Sequence, residues 1–323
     1  MKKTYKIFQV SLLVSLLTGS LVITGCKKDD PVSTGPGTVT DLVVNTADFS
    51  TLESAVVRAS LQSTLSGTGP FTVFAPDNNA FAAAGITETV LNSLTQSQVQ
   101  SILLYHTLNA NIPASGVPAG PNAKVITASG DSVFVTKNGN GVFINGIKVT
   151  QADISASNGV IHKIGAVLKA PTGNVVATAQ TTGSGLDSLV KAIVRANNAP
   201  GGDPNLINTL QTATITVFAP TNAAFTQLLQ ALSLTDINQI PVSTLLAVLR
   251  YHVVGGRAFS SDLTNGSLSM LAGGNTTINL TNGTSGGPTI TGNGNGANKS
   301  NIVSTNIMAR NGVVHVIDRV LLP

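Results

Sequence analysis

The chain writes one eleven-residue phrase twice. Residues 71–81 read FTVFAPDNNAF and residues 215–225 read ITVFAPTNAAF, 144 positions apart. Three more echoes keep the same order: FSTLESAVVRA (49–59) with LDSLVKAIVRA (186–196), ILLYHTL (102–108) with VLRYHVV (248–254), and NGVIHKIGAVL (158–168) with NGVVHVIDRVL (311–321). The offsets grow from 137 to 144, 146 and 153, so insertions fall between motifs and spare the motifs themselves. Such a period is far longer than the 20–50 residues typical of solenoids. It predicts two tandem globular domains, each large enough to bury its own core.

The duplication begins only after a leader. Lys2, Lys3 and Lys6 precede an apolar run that ends in small residues at Cys26, the plan of a secretory signal. The run is short for a membrane span, which needs about 20 apolar residues. Ile23-Thr24-Gly25-Cys26 resembles a bacterial lipobox, which implies lipidation of Cys26 and a mature chain starting there. A lone cysteine in an exported chain has no disulfide partner, so both domains must be held by core packing. The expected organisation is a signal over 1–25, a tether over 26–40 that resembles the Lys/Asp-rich export tether of Bacteroidota lipoproteins, and domains over 41–171 and 172–323.

Removing the leader also removes an apparent clue. The formal charge of +4 rests on 18 basic and 14 acidic residues, and three of the basic ones lie in the leader. The mature balance is 15 against 14, or +1. No basic cluster beyond Lys27-Lys28 exists to neutralise a run of phosphates, so nucleic acid is excluded as a partner. Charged residues make up only 10% of the chain, which leaves a surface of Thr, Ser, Asn and Gly.

Within each repeat, helix and strand periodicities alternate. Phe49, Leu52, Val56 and Ala59 fall at helical spacing, as do Leu186, Leu189, Ile193 and Ala196. FTVF and ITVF read as buried strands whose pairing stops at Ala-Pro, because proline offers no ladder donor. Asp77-Asn78 and Thr221-Asn222 then read as N-caps of short helices starting at Ala80-Phe81 and Ala224-Phe225. Thr95 and Gln98 form a capping box ahead of a helix that carries Val99, Ile102, Leu103 and His106 on one face. Leu245, Val248, Leu249 and His252 repeat that face. Beyond it, SVFVTKNGNGVFING and TTINLTNGTSGGPTITGNG alternate β-formers around Asn-Gly turns, a hairpin signal.

These motifs carry a specific resemblance. The Pro76, Asn78, Phe81 box (Pro220, Asn222, Phe225 in the second copy), the Tyr105-His106 and Tyr251-His252 pairs, and the closing boxes through Asn158, Gly159, His162 and Asn311, Gly312, His315, Asp318 resemble the signatures of the fasciclin domain. Gly165 stands where that pattern places the aspartate kept as Asp318. The resemblance implies an α+β fold: in each domain a wedge or sandwich of mostly antiparallel strands, flanked by short helices. It also implies extracellular or membrane-anchored proteins associated with adhesion and matrix contact, with no shared enzymatic activity, and it leaves the motif residues as structural.

All four histidines, His106, His162, His252 and His315, lie in repeated motifs. One reading makes each domain's pair a metal or acid–base site. The other places each ring at a core edge, bonded to backbone. Catalytic zinc needs three protein ligands, and the copies share no third candidate: Asp77 corresponds to Thr221, Glu53 to Val190 and Asp153 to Asn306. No metal, cofactor or catalytic residue is therefore expected. Gly283-Thr284-Ser285-Gly286-Gly287 fits the nucleophile-elbow pattern, but that elbow must join a strand to a helix, and Pro288 with Thr289-Ile290-Thr291 follows instead. GNGNGANKS (292–300) lacks the aspartates of a calcium-binding repeat and reads as turns and a flexible loop.

The expectation is a non-enzymatic adhesion or binding protein, lipid-anchored through Cys26 to the outer membrane of a bacterial envelope, with a protein or polysaccharide ligand. The alternative is an accessory glycan- or small-ligand-binding lipoprotein of a nutrient-uptake system. With no Trp, three Tyr and ten Phe, the chain is poorly supplied for stacking on sugars.

Overall fold

The computed structural model describes residues 35–323, apart from Thr182 and the side chain of Ser285. The leader, Cys26 and most of the tether lie outside the described residues. Residues Gly35–Pro323 form one compact unit, built from two copies of one arrangement.

The first copy runs α1 (Val39–Asn45), α2 (Ser50–Arg58), α3 (Gln62–Leu65), β1 (Phe71–Pro76), α4 (Asn78–Ala83), α5 (Glu88–Ser93), α6 (Gln96–Tyr105), β2 (Thr107–Leu108), β3 (Gly120–Ile126), β4 (Ser132–Asn138), β5 (Gly141–Ile144), β6 (Ile147–Ala156) and β7 (Gly159–Ile164). The second runs α7 (Val175–Ala179), α8 (Asp187–Asn198), α9 (Leu206–Thr212), β8 (Ile215–Pro220), α10 (Asn222–Ala231), α11 (Val242–Arg250), β9 (Val253–Gly255), β10 (Gly266–Ser269), β11 (Asn275–Asn279), β12 (Thr289–Gly292), β13 (Ser300–Ala309) and β14 (Gly312–Ile317). Each copy makes a seven-stranded sheet, ordered β2-β1-β7-β6-β5-β4-β3 and β10-β11-β12-β13-β14-β8-β9. Pairing is antiparallel except for β1 with β7 and β8 with β14.

The central strand explains why the repeated phrase is a continuous apolar run. Alternate side chains of a strand point to opposite faces, and here both faces are covered. Val73 and Ala75 join the helix-side core with Leu52, Val56 and Phe81, while Phe74 joins a second core with Val133, Val135 and Ile144 from β4 and β5. The second copy divides in the same way, with Ala219 against the helices and Phe218 against Ile278 and Ile290.

One long strand serves both cores by bending. Ile154 and Ala156 of β6 pack on the helix side, whereas Ile147 and Val149 pack on the other. The bend is a bulge at Asp153, whose φ is 59°, and β13 repeats it at Asn306 with φ 61°. Asp and Asn tolerate the left-handed region better than other side chains, and a bulge re-aims a strand.

Pairing stops at Ala-Pro as the sequence predicts: Pro76, in register with Ile164, ends β1, and Pro220, in register with Ile317, ends β8, because proline offers no donor to carry the ladder on. Other local expectations change on contact with the structure. The packed chain begins before residue 41, since Thr38 caps α1 in a capping box and Val39 is buried. Asn145-Gly146 is a two-residue hairpin turn with both φ positive, at 49° and 75°. The second copy has no such turn between β11 and β12. Residues 280–288 connect them through a short 3-10 turn at Thr284–Gly286, so the elbow-like sequence leads to a strand and not to an α-helix. The stretch 292–300 runs through turns as expected, and one residue in it is anchored. Asn295 is buried, donates to Val320 C=O at 2.9 Å and accepts from Leu322 N–H at 2.8 Å.

Candidate functional site at the repeated nodes and the domain junction

The repeated polar residues are held by local backbone geometry. Asp77 and Thr221 are the N-caps, accepting from Ala80 N–H at 2.8 Å and Ala224 N–H at 3.2 Å. The helices start at Asn78 and Asn222 themselves, so these two asparagines do not cap their own helices as the sequence suggested. They reach across to the starts of α2 and α8: Asn78 Oδ1 accepts from Thr51 N–H at 3.0 Å, and Asn222 Oδ1 from Ser188 N–H at 2.8 Å. Phe81 and Phe225 anchor the same corner in the helix-side cores.

The Asn-Gly pairs before β7 and β14 form a second node. Asn158 Oδ1 accepts from Val39 N–H at 2.9 Å, and its amide donates to Leu65 and Gly67 carbonyls. Asn311 repeats this with Val175, Leu210 and Ala213. Beside them, a Cβ on Gly159 would lie 2.1 Å from Phe71 O, and one on Gly312 2.0 Å from Ile215 O. Only glycine fits where the two central strands begin to pair.

The histidines form the third node. His106 Nδ1 lies 2.8 Å from Ile102 O, and Nε2 accepts from Leu168 N–H at 2.9 Å. His252 repeats both bonds with Val248 O at 2.7 Å and Leu321 N–H at 2.9 Å. Acceptance at Nε2 fixes a neutral ring protonated at Nδ1. Burial pushes both rings down to about 4, against a smaller upward pull from the helix carbonyl. His162 Nε2 pairs with Ile112 O at 2.9 Å and its Nδ1 accepts from Asp153 N–H at 3.2 Å, while the ring stacks on Phe74. His315 Nε2 pairs with Ala258 O at 2.9 Å and stacks on Phe218, with burial lowering it as well. The lone pairs a metal would take from His106 and His252 are thus occupied by backbone N–H groups. Among the described residues, no three His, Cys, Asp or Glu side chains converge.

Tyr105 and Tyr251 are buried beside their histidines. Tyr105 Oη donates to Ser132 O at 3.1 Å and accepts from Asn145 Nδ2 at 3.0 Å, and burial pushes its hydroxyl up to about 12. Tyr251 Oη donates to Asn275 O. Asp318 accepts from Asn301 N–H at 2.7 Å and from its side-chain amide at 2.6 Å. Gly165 keeps only the backbone part of that link, to Lys148 O at 3.2 Å.

What the motifs did not reveal is the junction between the copies, because its residues are not repeated. Arg257, Phe259 and Asp262 replace Asn111, Pro113 and Gly116 of the first copy. The Arg257 guanidinium lies 4.1 Å from the centre of the Phe134 ring and bonds the carbonyls of Ala309, Gly312 and Arg310. Burial lowers it to about 10, which leaves it charged at neutral pH. Phe134 also packs against Phe259, at 6.3 Å between centroids. Thr136 Oγ1 donates to Asp262 Oδ1 at 2.9 Å, Asn138 Nδ2 to Ser261 O at 3.0 Å, and Asn122 Nδ2 to Arg257 O at 2.6 Å. No repeated motif or spacing in the sequence marks Arg257 or Asp262.

Fold and nodes together define a tandem of α+β domains whose repeated polar residues bond within their own domain, with only His315 Nδ1 among the histidine nitrogens left without a partner. The fasciclin domain model matches residues 47–171 and 201–323, and the chain belongs to the fasciclin domain family. It is 41% identical over 137 residues to Protein sll1483 of Synechocystis sp., a match spanning 42% of this chain and 74% of that one. It is 35% identical over 135 residues to transforming growth factor-beta-induced protein ig-h3 of Sus scrofa, covering 42% of this chain and 20% of that protein. Human periostin matches at 30% over 129 residues, 39% of this chain and 15% of that one. The structure of a FAS1 domain pair from the insect cell adhesion molecule fasciclin I aligns with a TM-score of 0.40 at 18% identity, over 85% of this chain and 97% of that one. Among the described residues no helix is long and apolar enough to cross a membrane.

Proposed function

We propose that the protein is a non-enzymatic adhesion module, tethered to the outer membrane by lipid on Cys26 and presenting two docked fasciclin domains to a protein or polysaccharide ligand. The observation that carries this reading is where the repeated side chains go. Asn78, Asn158, His106 and their second-copy counterparts bond backbone inside their own domain. Recognition then falls to the unrepeated loops on a rigid scaffold, and the junction holds two such loop sets in fixed register. The same conclusion weighs against catalysis, since no nucleophile, acid and base set is common to both copies. It also weighs against a glycan-stacking module, because every described Phe and Tyr is buried or half-buried and none offers an exposed platform.

Cells displaying the full chain should be retained on surfaces coated with envelope polysaccharide or matrix protein, and cells carrying Cys26→Ala should not be, because stable anchoring takes about two acyl chains. Equal retention of both strains would contradict the reading.

A further inference from the structure

Beneath the helices of the second domain lies a cavity of about 570 Å³, walled by Val176, Ala179, Leu189, Leu210, Ile215 and Val314. Its volume is in the range of ligand pockets. Side by side, the two copies show how it arises. Ile215 stands where the first copy has Phe71, Val314 where it has Ile161, and Ala179 where it has Val43. Those three first-copy side chains pack in the helix-side core. Each replacement removes side-chain carbon from the same wall, a ring at 215, a methylene at 314 and two methyls at 179. Between Ala196 and Ile215 the second copy also carries seven more residues than the first does between Ala59 and Phe71, the insertion that carries Asp203 and sets α9. The pocket opens to solvent at a polar rim, so its apolar wall is covered only when an apolar group enters it.

The rim gives the occupant's chemistry. Arg250, at the end of α11, replaces Leu104 of the first copy and lines the opening with Asp203 and Thr209. Its side chain is 49% exposed, and Nη2 contacts Asp203 Oδ2 at 2.7 Å. That single bond, the one Arg250 side-chain hydrogen bond among the described residues, leaves Nε and Nη1 for a second anion. An Arg fork suits a carboxylate or phosphate. We infer that the second domain binds a single-chain amphiphile, with its alkyl tail in the cavity and its anionic head on Arg250. The proposal does not rest on adhesion, and its test reads lipid binding alone.

The test uses membranes from cells displaying the full chain, with a diazirine-bearing palmitate added and photolysed, and adducts mapped by mass spectrometry. Adducts should concentrate on α7, α8, α9 and β8. Palmitate or palmitoyl-lysophosphatidylglycerol should displace the probe and hexadecanol should not, and the stronger of the two anionic competitors tells a free fatty acid from a membrane-derived lipid. The double variant Ile215→Phe with Val314→Ile restores the first copy's side chains and should lower adduct yield about tenfold. Arg250→Leu, which leaves the cavity wall intact, should weaken displacement by the anionic competitor about tenfold, the worth of one charge-assisted bond. Adducts scattered over both domains, equal displacement by hexadecanol, or unchanged yield in the filled variant at unchanged melting temperature would overturn the proposal.

Discussion

Acid should loosen this protein well above the range where carboxylates titrate, and the two helix-end histidines set the size of the effect. His106 and His252 each accept a backbone N–H at Nε2. Protonating either ring would put a second donor against the N–H of Leu168 or Leu321. The folded rings sit at about 4, below the unfolded value of about 6.5. Between those values the unfolded state binds more protons, so the contribution is complete above about pH 6.5 and is lost as pH falls toward 4. The full loss is on the order of 3 kcal/mol per histidine, of which roughly 1.2 kcal/mol falls between pH 6 and 5. Asp41 and Asp203 do not blur that window. Hydrogen bonds from Thr38 lower the first and the Arg250 contact lowers the second, both away from that window. Urea unfolding at half-unit pH steps measures the slope. The double variant His106→Gln with His252→Gln, whose amides reproduce the donor and acceptor, should keep only the part owed to His315. A flat wild-type profile from pH 6.5 to 4.5, or an unchanged slope in the double variant, would refute the reasoning.

Three further perturbations follow from the nodes. Gly159→Ala or Gly312→Ala drives a Cβ into a strand carbonyl and should cost more than about 3 kcal/mol or abolish soluble expression, whereas Gly85→Ala, with open space around it, should cost about 1 kcal/mol in thermal melts. Asn78→Ala strands the Thr51 N–H and should lower stability by roughly 1–2 kcal/mol, the usual loss of a cap, read by urea titration. Phe134→Ala removes the ring beneath Arg257 and should split a single calorimetric transition into two while each domain keeps its own melting temperature within a few degrees.

The duplication, the α+β class and the helix faces were legible because repeated apolar spacing encodes them directly. Thr95 and Gln98 do form the capping box that their spacing announced. The asparagines misled because residue type marks a capping side chain without saying which helix it caps: Asn78 sits one residue after Asp77, and only the fold brings the start of α2 within its reach. The Asn-Gly signal failed at residues 282–283 because the Gly287 carbonyl and Asn301 side chain, both distant from a tight turn, set that loop. The junction stayed hidden because Arg257 and Phe134 have no repeated partner to flag them. The cavity stayed hidden for the opposite reason, since it is made by subtraction, where Phe71 becomes Ile215 and Ile161 becomes Val314 without any change of polarity.

The central claim is that two docked domains present unrepeated loops to one ligand surface, so that weak contacts reinforce each other. The direct measurement compares retention, under shear, of cells displaying the full chain with cells displaying chains that lack residues 39–168 or 175–323, at equal total domain density on the surface. The account predicts that the full chain holds cells at least tenfold longer than either single-domain chain. Equal retention by a single domain, or no retention by any chain alongside turnover of a substrate, would contradict it.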